Sequence, residues 1–255
     1  MPVTDSSPAI VIVGVAPTRP DTVTWSVTRG IEADCAAGES EGRGDSAHHA
    51  QAAPATTRRG RRGDSMRIDT ELREWDFGAR WFTLGDLDIA THIVRTAMLR
   101  EGKSLTEVTD RLCSRWDLGV RLLPASDDCA ETWVDCPDLD GPVHFQEWWV
   151  RYRACPRPAS FLFRPGDAEL SGAARRAVAQ AELVIVAPSN PVVSIDPILA
   201  LRGTREALAT CPAPIVGISP IVGGRVLRGM GDVCLSAIGV AVSAAGVAEY
   251  YGARG

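Results

Sequence analysis

No Walker Gly-x-x-x-x-Gly-Lys-Ser/Thr, no Gly-x-Ser-x-Gly elbow and no His-Glu-x-x-His occurs in these 255 residues. The chain therefore lacks the signatures of a P-loop, a serine-hydrolase nucleophile and a zincin helix. Cys-x-x-Cys is missing as well. The seven cysteines, Cys35, Cys113, Cys129, Cys136, Cys155, Cys211 and Cys234, are odd in number and scattered. They point to neither a closed disulfide framework nor a zinc ribbon, and predict reduced, mostly buried thiols in a cytosolic protein. No apolar run approaches the roughly 18 residues of a membrane span. The start has no basic segment followed by a sustained apolar one, and Ala9–Ala16 is only strand-length. The expected localisation is cytoplasmic, with no membrane partner. The net charge of −5 offers a polyanion no general attraction, so nucleic acid is not an expected partner either. Arg58, Arg59, Arg61 and Arg62 have no interleaved aromatics and read as a solvated loop.

What is there is ordinary for a globular protein large enough to bury a core: 45% hydrophobic and 23% charged residues. Residues 8–16 read as a buried strand rich in Val and Ile, ended by Pro17 and Pro20. The stretch 33–63 is dense in Gly, Ala, Ser, Arg and Glu, with almost no large apolar residue. Its burial cannot offset its ordering entropy, so it divides the chain into segments 1–32, 33–63 and 64–255. A helix is predicted over 87–100, with Ile89, Ile93, Val94 and Ala97 as its apolar stripe. Ser104 and Glu107 have the spacing of a capping box ahead of a helix that buries Leu105, Val108 and Leu112 and ends towards Gly119. Short strands are expected at 120–123, 130–135 and 144–150, making a small α+β insertion at about residues 120–165. Beyond it, helices at 171–181 and 203–210 alternate with apolar strands at 183–187 and 215–218, and two more helices follow near 230–238 and 243–251. The expected fold class is α/β, a parallel sheet covered by helices on both faces.

Ligands of such sheets bind beyond the carboxyl ends of the strands. Two loops fall there, Pro188-Ser189-Asn190-Pro191 and Ser219-Pro220-Ile221-Val222-Gly223-Gly224. Their small polar side chains and backbone N–H groups suit phosphate oxygens, and each equally suits a structural turn with a capping serine. Asp86 and Asp88 flank Leu87 at the mouth of a helix, with His92 one turn on. Carboxylates so placed can hold Mg2+ together with substrate phosphates, or simply cap the helix. Asp127-Asp128 carries the same two readings, an Asx turn being the plainer one. His144, alternating on its strand, reads as a satisfied structural histidine, and His48-His49 fall in the low-complexity stretch.

Leu84-Gly85-Asp86-Leu87-Asp88-Ile89-Ala90-Thr91-His92 closely resembles the Gly-Asp-Arg-Asp-x-Ala-Thr-His signature of the 2-phospho-L-lactate transferase family. Leu123-Pro124-Ala125-Ser126-Asp127-Asp128, Val143-His144-Phe145-Gln146-Glu147, Ala187-Pro188-Ser189-Asn190-Pro191 and Ile218-Ser219-Pro220-Ile221-Val222-Gly223 resemble further family motifs, in the same order. Agreement runs from roughly residue 60 onward. The resemblance implies a Rossmann-like core for 64–255, Mg2+ dependence and a reaction of deazaflavin coenzyme F-420 synthesis. In it the hydroxyl of the deazaflavin Fo attacks a guanosine-diphosphate-activated lactate or enolpyruvate, and GMP leaves. Asp86 and Asp88 are then catalytic and metal-holding candidates. Leu87, His92, Asp127, Asp128, Ser189, Asn190 and Ser219 are substrate-binding candidates, and a homodimer is expected. Pro20-Asp21-Thr22-Val23 resembles the tail of the family's acidic Asp-Leu-Asp-Thr segment, making Asp21 a further candidate at the deazaflavin. Two departures stand out. Leu87 occupies the place of the signature's arginine and cannot donate to a phosphate, and the first strand is followed by no glycine cluster. The chain also ends at Gly255, ahead of the C-terminal helices and strand that the resemblance leads one to expect. The alternative reading is a non-catalytic nucleotide- or deazaflavin-binding paralogue, or a decayed member of the family.

Overall fold

The computed structural model describes residues 10–15, 25–28, 67–77, 81, 85–116, 118, 120–164, 167–226 and 229–252. Asp21, the 33–63 stretch, Arg58–Arg62, Cys35, His48-His49 and Gly119 lie outside them.

The main sheet has five strands: β1 (Ile10–Val15), β2 (Trp25–Thr28), β3 (Leu122–Leu123), β7 (Leu183–Val186) and β8 (Ile215–Gly217). They run in the order β3-β2-β1-β7-β8. β1, β7 and β8 are parallel, with Val13 opposite Val186 and Val186 opposite Gly217. β2 is antiparallel to β1 and to β3, so the sheet is mixed and its parallel part is the β1-β7-β8 half. Helices α4 (Gly172–Ala179) and α6 (Thr204–Thr210) are the crossovers that a parallel sheet requires. Leu123, Leu170, Ala174, Val178, Val184, Ile198 and Leu201 form one core beneath this sheet. The fold is α/β, as the alternation of apolar runs and helical stretches predicts.

The segment expected as an insertion builds a second sheet of three antiparallel strands, β5-β4-β6, from β4 (Glu131–Asp135), β5 (Val143–His144) and β6 (Ser160–Arg164). Residues 122–123 do not belong to it; they close the edge of the main sheet as β3.

The half-buried strand expected over 144–150 is absent, because after His144 the chain turns helical and forms a π-turn, Glu147–Arg151. The reason is visible in the spacing. Phe145, Trp148 and Trp149 stand at i, i+3 and i+4, a helical face, and their rings meet at 5.9 and 5.5 Å. Glu147 and Arg151 pair at 2.6 Å on the other side. Trp148 is fully buried with Val134, Val192, Val193, Ile221, Cys234 and Leu235. This second core joins the insertion to the loops that follow β7 and β8.

Among the described residues, three helices come before the second sheet: α1 (Arg67–Glu74), α2 (Asp86–Arg100) and α3 (Leu105–Cys113). The capping box of α3 forms as its spacing predicts. Ser104 Oγ accepts from Glu107 N at 3.2 Å, while Glu107 Oε2 accepts from Ser104 N at 2.8 Å. Leu105 and Val108 are buried, Leu112 is half-buried, and the helix ends on Ser114 rather than running on towards Gly119. The apolar stripe of α2 does not enter a core: Ile93 is 65% exposed and Val94 45%. Periodicity tells which side chains share a face, not what covers it.

The thiols also divide differently from the expectation. Cys136, Cys211 and Cys234 are buried, but Cys129 and Cys155 are exposed; none of the six described cysteines is in a disulfide. Helix α7 (Gly231–Ala237) carries Cys234, and α8 (Ala244–Tyr251) carries Tyr250 and Tyr251. Burial pushes the Cys234 thiol up to about 11. Burial, followed by the neighbouring Asp196 carboxylate, raises both tyrosine hydroxyls above their ordinary value of 10.0. In the unfolded chain these groups ionise at ordinary values, about 9 for the thiol and about 10 for tyrosine. Ionisation therefore favours unfolding, and the stability they contribute, complete below about pH 9, drains away as pH rises through the folded values. A urea midpoint falling steadily above about pH 9 is the expected result; a flat midpoint to pH 11 would contradict it.

Candidate active site

The register of β1, β7 and β8 brings their carboxyl ends level, and Ile218 N donates to Val186 O at 3.0 Å. The loops after β7 and β8 thus start side by side at one rim of the sheet. In the first, Ser189 N donates to Ala187 O at 2.7 Å, forming a tight turn with the serine side chain half-buried. Asn190 Oδ1 then accepts from Val192 N at 3.0 Å and Val193 N at 3.4 Å. It caps a second π-turn, Pro191–Ile195, which leads into α5 (Asp196–Ala200). Short π segments are rare and occur frequently at functional sites. In the other loop, Ser219 Oγ accepts from Ile221 N at 3.0 Å, which sets up the hairpin of β9 (Ile221–Val222) and β10 (Arg225–Val226). Asn190 thus acts as a helix cap and Ser219 as a turn residue.

Asp86 and Asp88 occupy the first turn of α2, after the extended Gly85. Among the described residues, no side-chain cap hydrogen bond forms at this helix, whose N-cap is Gly85. Asp86 Oδ1 is instead buried with no hydrogen-bond partner among the described residues. A buried carboxylate oxygen left without a donor is costly, and persists where a ligand or cation supplies what the protein does not. Asp88 is exposed, Leu87 is 83% exposed, and His92 is half-buried one turn along. Thr91 Oγ1 donates back to Leu87 O at 2.9 Å.

Asp127 and Asp128 lie elsewhere and do different work. Asp127 Oδ1 accepts from Thr106 N at 2.7 Å, adding a second cap to α3. Asp128 Oδ2 accepts from Glu169 N at 2.9 Å, and Ser126 Oγ accepts from Asp128 N at 3.1 Å. Adjacent carboxylates therefore tie α3 on one side and the approach to α4 on the other. His144 Nδ1 accepts from Gln146 N at 3.2 Å while its ring meets Trp133 edge-on at 5.9 Å, a satisfied histidine.

Among the described residues, no three His, Cys, Asp or Glu side chains are grouped to hold a metal ion. A cation at Asp86 and Asp88 would need oxygens from a substrate as well, the way Mg2+ is commonly held beside phosphates. A cavity of about 200 Å³ lies between α4 and α6, lined by Arg175, Glu206 and Cys211 among others. It sits towards the amino ends of β7 and β8, away from the loop rim. No helix among the described residues is long and apolar enough to cross a membrane.

A sequence profile described as 2-phospho-L-lactate transferase CofD matches residues 55–251. The chain belongs to that family. Its relatives include the phosphoenolpyruvate transferase of Mycobacterium sp. (strain KMS), 50% identical over 200 residues, which are 76% of this chain and 60% of that protein. The phosphoenolpyruvate transferase of Mycobacterium tuberculosis (strain ATCC 25177 / H37Ra) is 51% identical over 202 residues, 76% of this chain and 60% of its own length. The chain thus spans about 60% of the length of these relatives. A solved structure, a UPF0052-family protein of Bacillus halodurans, overlaps 49% of this chain and 39% of its own at a TM-score of 0.40 and 19% identity. The CofD-matched span contains Asp86, Asp88, His92, Asp127, Asp128, Ser189, Asn190 and Ser219, and leaves Asp21 outside.

Proposed function

We propose that this chain is a phospho-acid transferase of coenzyme F-420 synthesis, working in the cytoplasm on a guanosine-diphosphate-activated enolpyruvate. The choice of enolpyruvate over lactate rests on the names of the mycobacterial relatives. The hydroxyl oxygen of the deazaflavin Fo attacks the phosphorus that carries the enolpyruvyl group. A new P–O bond forms, the bond to the GMP phosphate breaks, and the hydroxyl proton is given up as GMP leaves. Such a reaction asks little covalent chemistry of the protein; positioning and charge neutralisation carry the rate.

The observation that carries this reading within the structure is Asp86 Oδ1, buried and unpartnered at a helix mouth that also holds Asp88. Asp86 and Asp88 are the residues that would hold Mg2+, and the ion bound there would neutralise charge on the transferring phosphate. Ser189, Asn190 and Ser219 and the backbone N–H groups around them are assigned to the nucleotide end, beside the level strand ends. His92 and Leu87 are assigned to the flank of the acceptor. Asp127 and Asp128 we reassign from substrate ligands to positioning residues, because their carboxylates already receive Thr106 N and Glu169 N.

A second reading, a non-catalytic nucleotide- or deazaflavin-binding relative, rests on Leu87, whose exposed apolar side chain stands where the family signature has an arginine. One assay separates the two. The purified chain is supplied with Fo, Mg2+ and the guanosine-diphosphate-activated enolpyruvate, and Fo fluorescence and released GMP are followed. GMP release matched by loss of free Fo is the expected outcome. Saturable Fo binding without GMP, under conditions where a full-length relative turns over, would establish the binding-only reading. Neither binding nor turnover from folded protein would overturn both.

A further inference from the structure

Asn190 faces two ways. Its Oδ1 accepts from Val192 N and Val193 N, and its Nδ2 donates to Cys234 Sγ at 3.4 Å. Cys234 is fully buried and lies 44 residues along the chain, on α7. The two backbone N–H donors require the amide to present its oxygen to the turn, which leaves its nitrogen on the far side. The thiol sulfur lies there and accepts from that nitrogen, tying the side chain down from behind. Burial holds the thiol in its protonated form, with the ionised form suppressed up to about 11. Around this contact α7 grips both rim loops. A Cβ added at Gly231 would meet Pro191 Cδ at 3.8 Å and Val226 Cγ1 at 3.2 Å, so the start of α7 sits against the first loop and against β10. Val192, Val193, Ile221, Cys234 and Leu235 share one buried cluster.

We propose that Cys234 is a positioning residue for the nucleotide-binding rim: by accepting from Nδ2, its sulfur holds the Asn190 side chain in the cap, and so steadies the 191–195 π-turn, from the far side of the loop. The inference rests on the assignment of Asn190's loop to the nucleotide, and its test keeps the two separable. Amide hydrogen exchange, followed residue by residue by NMR on the full chain, is compared in the unmodified protein, Cys234→Ala, Cys234→Ser and Asn190→Ala. The amides of Val192 and Val193 report the cap; those of β4 report global stability. In Cys234→Ala the two cap amides should exchange about fivefold faster relative to β4, the loss expected for one neutral hydrogen bond. Asn190→Ala should exceed this, since it removes the cap itself. Cys234→Ser, which keeps an acceptor at the same place, should restore cap protection relative to β4 even if the whole fold is weakened. GDP titration should follow the same order, with Cys234→Ala weaker by several-fold and Cys234→Ser close to the unmodified chain. Cap amides in Cys234→Ala protected as in the unmodified protein would overturn the proposal. Altered cap exchange in a chain that does not bind GDP would uphold the positioning role and reject the nucleotide assignment.

Discussion

Asp86→Asn is expected to cost at least about 100-fold in kcat/KM, the scale of removing one electrostatic contact to a transition state. The substitution is nearly isosteric. It removes the negative charge from a carboxylate whose Oδ1 is buried without a hydrogen-bond partner, and leaves helix α2 otherwise intact. Two effects on stability oppose each other. A negative side chain in the first turn favours the helix dipole by about 0.3–1 kcal/mol, while burying an unsatisfied carboxylate oxygen costs a comparable amount or more. The unfolding free energy should therefore change by less than about 1 kcal/mol, in either direction. Activity collapsing at nearly constant stability is the signature of a group kept for a ligand rather than for the fold. Asp88→Asn, at an exposed position, should have the smaller effect. A kcat/KM of Asp86→Asn close to that of the unmodified chain would remove Asp86 from the chemistry.

Trp148→Ala should be the most destabilising single change among the described residues, at about 3–5 kcal/mol by urea denaturation. Trp148 is the largest fully buried side chain among the described residues, and its ring meets Phe145 at 5.9 Å and Phe161 at 6.1 Å. Its Nε1 donates to Pro156 O at 2.9 Å, a carbonyl that the alanine variant leaves short of this donor. Domains of this size have about 5–15 kcal/mol in all, so the variant should sit near the edge of folding. Trp148→Phe keeps most of the ring and loses the hydrogen bond, and a cost of about 1–3 kcal/mol is expected. Because Trp148 packs in the same cluster as Val192, Val193 and Cys234, its loss should loosen the loop rim along with the second sheet. A change below about 1 kcal/mol for Trp148→Ala would show that the insertion contributes little to the fold.

Local signals were legible where the physics is local. The capping box at Ser104 and Glu107 needs only residues three apart, and forms as read. The apolar run at Leu183–Val186 is a strand flanked by other parallel strands, as its lack of alternation implies. The second sheet's aromatic stretch was readable in principle. Phe145, Trp148 and Trp149 have helical spacing, yet the alternation from His144 suggested a strand, and the helical reading prevailed because it buries Trp148. The α2 stripe is legible as a stripe, but Ile93 and Val94 stay exposed.

By itself the sequence determined the kind of chain this is: an α/β protein whose ordered motifs, Asp86–His92 foremost, belong to the CofD family. It also determined the candidate residues, because motif spacing survives in one dimension. Tertiary structure alone decided what those residues touch. Asp127 reaches Thr106 across 21 residues, Asp128 reaches Glu169 across 41, and Asn190 reaches Cys234 across 44. Nothing in spacing encodes such contacts, since each depends on which elements pack together once the sheets have formed. The same packing left Asp86 Oδ1 buried with no hydrogen-bond partner among the described residues, and left Asp88 exposed.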